Sequence, residues 1–139
     1  MIPLDDALLR SVEDGSLPAS AFHHREHVYV TWRYLRSLPL EEALAKISRV
    51  LRAFATTHGV PGHYHTTMTW AYVLLLDEAM RRVPDEPFEA LFRRVAGGRA
   101  RIAALYGVDE LESAEARARF LLPRAIREAC AAVDEEPSG

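Results

Sequence analysis

All six histidines of this 139-residue chain fall between positions 23 and 65. They form two tight groups, His23-His24-Arg25-Glu26-His27 and His63-Tyr64-His65, with His58 between them. On a helix, residues three or four apart share a face with Cβ atoms about 5–6 Å from each other, so His24 or His23 can pair with His27. That is the spacing of a two-imidazole grip on a metal ion. His63 and His65 are two apart and point to different sides of a regular helix, so one of them shares a site comfortably with the first group. His65 also begins a polar stripe that continues through Thr69 and Tyr72 on an otherwise apolar segment, and a polar stripe inside a core needs partners.

Two chemistries fit this set. In the first, His24, His27 and His65 hold a divalent metal with an open position, where the ion acidifies a bound water or polarises a carbonyl of a small organic substrate that Tyr64 and Thr69 position. Zinc is the default for imidazole ligation, with copper, iron and nickel also suited to it. In the second, the histidines cap helices and line a metal-free polar cleft for a small anion or a partner helix, as a binding or regulatory module. An acid–base enzyme with a single histidine stands between the two. The ligand set lacks a clear carboxylate. Glu26 points away from both flanking histidines and is expected to pair with a surface arginine, while Asp77 and Glu78 either line the far end of an elongated pocket or form a solvated helix end in which Arg81 pairs with Asp77. Trp32 and Trp70 floor the pocket or belong to the core, and the hydroxyls of Tyr29, Tyr34, Tyr64 and Tyr72 widen the choice of donors.

The elements that position these groups read as helices throughout. Leu4, Ala7, Leu8 and Val12 form one stripe over residues 4–13, ended by Gly15-Ser16-Leu17-Pro18. A second helix is expected over 21–37, capped by Ser20 and stopped at Leu38-Pro39. A third runs from Pro39 to about Thr57, with Glu41 and Glu42 near its positive end and Leu44, Ile47, Val50, Leu51 and Phe54 on its apolar face. The fourth, 64–82, is apolar all round at Trp70–Leu76 and so belongs at the centre of a bundle. Shorter helices follow Pro87, surround Ile102-Leu105-Tyr106 and start at Ser113, and Pro123 interrupts the last of these. No segment alternates apolar and polar residues as a half-buried strand does. The expectation is an all-α, single-domain compact bundle of about five to seven helices over residues 1–133, with 134–139 as a flexible acidic tail.

Composition sets the outer limits. The hydrophobic fraction of 49% supports one real core. Seventeen basic against twenty acidic side chains give −3, so the counterion-release drive for nucleic acid is missing. No apolar stretch approaches the ~18 residues of a membrane span and no leader pattern opens the chain, so a cytoplasmic protein without membrane contact is expected. The lone Cys130 rules out an intrachain disulfide framework or a multi-cysteine zinc site. An apolar fourth helix and many aromatic residues allow a homodimer.

Three stretches carry a resemblance. Phe22-His23-His24-Arg25-Glu26-His27, followed by Trp32 and Tyr34-Leu35, resembles the F-x-H-R-x-H pattern of a group of small uncharacterised bacterial all-helical proteins. Gly62-His63-Tyr64-His65-Thr66-Thr67-Met68-Thr69 is similar to that group's Y-H-E-T-I-T, and Leu105-Tyr106 through Leu111, Ser113, Ala116-Arg117, Phe120 and Pro123 to its L-x-x-Y-Y-S and L-x-S-x-x-A-R-x-x-F-x-x-P. The resemblance implies an inner set of His24, His27 and His65 and an outer set of His23, His58 and His63. It brings no activity with it. Where the group's pattern has glutamate this chain has Thr66, which removes one carboxylate base from any hydrolytic scheme.

Overall fold

The computed structural model describes residues 2–135, and among them the regular structure is entirely helical. Nine α-helical segments follow in order: α1 (Asp6–Glu13), α2 (His24–Ser37), α3 (Leu40–Thr57), α4 (Thr66–Arg82), α5 (Phe88–Arg94), α6 (Gly98–Ala104), α7 (Val108–Leu111), α8 (Ala114–Ala118) and α9 (Arg124–Glu135). The number exceeds the expected five to seven because residues 88–118 break into four pieces of seven residues or fewer.

The helix ends follow local chemistry. Asp5 caps α1 by accepting the Leu8 N–H at 3.0 Å, and Ser113 caps α8 by accepting that of Ala116 at 3.1 Å. Pro39 and Pro87 precede α3 and α5, where a missing N–H costs nothing. Gly59, just past α3, takes a φ of +73°, the left-handed turn that ends many helices. Two starts depart from expectation. Ser20 lies in a one-turn 3₁₀ segment, Ala19–Ala21, and α2 begins only at His24 with His23 as its cap residue. Likewise α4 starts at Thr66 rather than 64, because a second 3₁₀ turn, Pro61–His63, comes before it and His65 takes the cap position.

α4 is the central helix, packing against α2, α3, α6 and α8. One core cluster joins Leu8, Val12, Val30, Tyr34, Ile47, Phe54 and Val73 from α1 to α4. A second joins Val28, Tyr29, Leu76, Phe88 and Leu91 across α2, α4 and α5. The third, Ile102, Tyr106, Ala116 and Leu121, closes over Met68, Tyr72 and Leu75 of α4. Trp70 is structural: its indole N–H donates to Ser48 Oγ at 2.9 Å and its ring stacks on Phe120.

The segment 105–123 is clamped onto the start of α4 by side chains that the sequence patterns single out. Thr67, fully buried, donates its hydroxyl to the Arg119 carbonyl and accepts the Leu121 N–H, both at 2.9 Å. Arg117 reaches the Gly62 carbonyl at 3.0 Å, and the Tyr106 hydroxyl donates to the Leu121 carbonyl at 2.7 Å. The 62–69 and 105–123 segments thus meet to satisfy one another's backbone.

Asp134 and Glu135, expected in the acidic tail, close α9; residues 136–139 lie outside the described residues. No helix among the described residues is long and apolar enough to cross a membrane.

Candidate functional site: a histidine-lined pocket between α2, α3 and α4

Both histidine groups reach one cavity of about 260 Å³, with walls from α2, α3, the 58–65 loop, α4 and the first turn of α6. Its apolar wall includes Phe22, Val28, Ile47, Leu51, Phe54, Val60, Met68 and Val73, and its polar groups are His24, His27, Thr31, His63, Tyr64, His65, Thr69, Tyr72 and Arg99. A few convergent polar groups on an apolar wall is the usual composition of a small-molecule site. The volume lies just below the usual range for drug-sized ligands, so the cavity suits a small organic molecule.

The α2 spacing works as expected, with His24 and His27 both facing the cavity. The His27 ring lies flat on Phe22, with centroids 3.8 Å apart and planes 15° apart. Neither of its nitrogens is hydrogen-bonded to another described residue. Burial first, then the nearby His24 and Arg99, push its pKa down to about 4, so this imidazole is neutral at physiological pH. His24 sits nearer solvent, edge-on to Tyr72 with centroids 5.5 Å apart. The Tyr72 hydroxyl approaches His24 Nε2 at 3.4 Å, a long contact. Burial, then Arg99, lowers the His24 pKa; burial raises that of Tyr72, with Arg99 opposing.

His65 has a different occupation. Its Nδ1 accepts the Met68 N–H at 3.1 Å as the side-chain cap of α4, and its Nε2–H donates to the Leu111 carbonyl at 2.6 Å. Those two bonds use both ring nitrogens, so coordination through His65 would require breaking one of them. Among the described residues no group of three or more histidine, cysteine, aspartate or glutamate side chains is arranged to hold a metal ion. Tyr64 and Thr69, expected to position substrate, do line the cavity. The buried Tyr64 hydroxyl has no partner among the described residues, and neither does Thr66 Oγ1; Arg52 lies 4.8 Å over the Tyr64 ring.

The remaining histidines divide differently from expectation. His63, assigned to the outer set, stands on the cavity wall. His58 approaches the Gly15 carbonyl at 3.1 Å and packs on Phe54, and His23 is exposed. Asp77 and Glu78 lie off the cavity, and Asp77 pairs with Arg81 at 3.1 Å. Glu26 is buried rather than paired on the surface, in the first turn of α2 where the helix dipole favours a carboxylate.

Arg99 is a cavity-lining residue to which neither the histidine spacing nor the helical periodicity pointed. It is exposed on α6, and among the described residues its guanidinium has no carboxylate partner. The only local signal was Gly97-Gly98 just before it. A Cβ at Gly98 would come within 3.3 Å of both Tyr72 and Leu75, so glycine there lets α6 close onto α4 and brings Arg99 to the cavity. The chain matches no protein-family model, and no curated protein or solved structure is significantly similar to it.

Proposed function

We propose that the protein binds a small organic anion without a metal, burying the apolar body against Phe22, Phe54, Met68 and Val73 and holding the anionic group beside Arg99, His24 and Tyr72. The observation that carries this reading is the convergence of Arg99 with two imidazoles and a phenol at one apolar cavity. Two positive influences on His27 come from Arg99 and His24, and a bound anion offsets both. Binding therefore raises the proton affinity of His27, which makes the site suited to taking up or passing a proton at the ligand. The unpartnered Tyr64 hydroxyl supplies one further donor for a polar atom of the ligand.

The experiment compares small carboxylates, benzoate and hexanoate, with their neutral amides by NMR titration of the histidine side chains. Carboxylates are expected to shift His24 and His27 and to bind at least ~10-fold more tightly than the amides, an advantage lost in Arg99→Gln. Equal binding of acid and amide, or histidine signals that do not move, overturns the reading.

A second reading, metal-dependent catalysis on a small organic molecule, is favoured by the open nitrogens of His27 and the His24–His27 spacing. It rests on those two residues without His65. Metal analysis of untagged protein tests it: metal near one equivalent, lost in His27→Ala and retained in His65→Ala, would replace the first reading with this one.

A further inference from the structure

The polar groups of the histidine-lined cavity stand at two levels along α4. At its foot, Tyr64 and His65 come just before the first helical residue, Thr66. Tyr72, which faces His24 and packs against Gly98 next to Arg99, stands six residues beyond Thr66. Six helical residues rise about 9 Å. The other walls have a similar reach, since α2 lines the cavity from His24 to Thr31 and α3 from Ile47 to Ala55. The cavity is therefore a slot about two helical turns long, with Arg99, His24 and Tyr72 towards one end.

The other end holds a donor without a partner. Among the described residues the buried Tyr64 hydroxyl makes no hydrogen bond, whereas both ring nitrogens of the adjacent His65 are engaged, by Met68 and Leu111. His63 at that end is exposed. A buried phenol left unpaired is uncommon, because nothing offsets its lost hydration. Its position is nevertheless fixed. The Arg52 guanidinium lies 4.8 Å over the ring, and the chain on either side is held where Arg117 donates to the Gly62 carbonyl and His65 to that of Leu111. A donor held this way adds little ordering cost when a ligand atom meets it.

We propose that the site selects two-ended ligands: slender carboxylic acids that carry a second, uncharged oxygen acceptor, such as a ketone, several carbons from the carboxylate. The proposal rests on the anion-binding reading above and adds the far end of the molecule. The carboxylate lies beside Arg99, His24 and Tyr72, the carbon chain follows the apolar wall of Phe22, Phe54 and Met68, and the far oxygen accepts the Tyr64 hydroxyl. A neutral oxygen suits the foot better than a second carboxylate. One buried hydroxyl supplies one hydrogen bond, and a desolvated charge needs several.

Calorimetric titration of the full chain with methyl-ketone acids of five, seven and nine carbons, each beside its unsubstituted parent acid, tests this. The ketone is expected to tighten binding about 5-fold at one chain length and less at the others, because two fixed partners accept one spacing. A dicarboxylate of the favoured length is expected to bind more weakly than the ketone acid. In Tyr64→Phe the ketone acid should bind no more tightly than its parent. The ligand-free Tyr64→Phe chain should melt no lower than the wild type, since deleting an unpartnered buried hydroxyl removes no bond. A lower melting temperature would assign that hydroxyl to the fold and overturn the proposal. So would ketone acids that bind no better than their parents at any length, a dicarboxylate that binds more tightly, or a ketone preference that survives Tyr64→Phe. If the parent acids themselves bind no better than their neutral amides, the anion reading falls and this proposal falls with it.

Discussion

The Nε2–H of His65 donates to the carbonyl of Leu111 at 2.6 Å, across 46 positions of sequence, while Nδ1 of the same ring caps α4 at Met68. One imidazole thus joins the start of the central helix to the end of α7. This fixes the neutral tautomer with the proton on Nε2, and it makes His65 a brace for the pocket wall.

His65→Ala removes both the cap and the clamp. The expected loss is about 2 kcal/mol of folding stability, from a cap of ~1 kcal/mol and a hydrogen bond of similar size. Urea unfolding measures it. His65→Asn, which retains a capping oxygen, is expected to recover part of the loss, whereas a purely ligand-binding role would leave the unfolding midpoint unchanged in both variants.

His27 makes stability depend on acid. Its folded pKa of about 4 lies below the ordinary value of 6.5, so between these values the unfolded chain binds the proton more readily. Stability contributed by the neutral ring is therefore full above about pH 6.5 and is lost as pH falls towards 4, with an upper bound of about 3 kcal/mol. His27→Phe keeps an aromatic ring on Phe22 without the titration. The difference in melting temperature between wild type and this variant should move steadily against the wild type as pH falls through that window; a constant difference would remove His27 from the acid response.

Gly98→Ala tests the closeness of α6 to α4. The added methyl meets Tyr72 and Leu75 at 3.3 Å, so both side chains must give by a few tenths of an ångström. Since Tyr72 stands beside His24 and Arg99 lies one residue further on, the displacement is expected to weaken benzoate binding by several-fold, read in the same NMR titration. Gly97→Ala, where a Cβ meets nothing within 4 Å, serves as the control and should leave binding unchanged.

Much of this protein was legible in the chain itself. Helical periodicity set the all-α fold, the central place of α4 and the shared face of His24 and His27, because those are local properties repeated every three to four residues. The caps at Asp5 and Ser113 were equally local, and the Asp77–Arg81 pair follows from a four-residue step on one helix. What lay beyond the sequence depends on partners far along it. Two 3₁₀ turns delayed the starts of α2 and α4, and the shift of about two residues at α4 put His65, still on the cavity wall, at the cap position with its ring bonded to Leu111. Periodicity cannot show this, because a ring nitrogen is a ligand or a brace according to which atom stands next to it. Arg99 reaches the cavity where Gly98 packs closely on Tyr72 and Leu75 of α4. The sequence therefore determined which helices form and which faces they present. The tertiary structure decided which of the six imidazoles keep open nitrogens and which are used to hold the fold together.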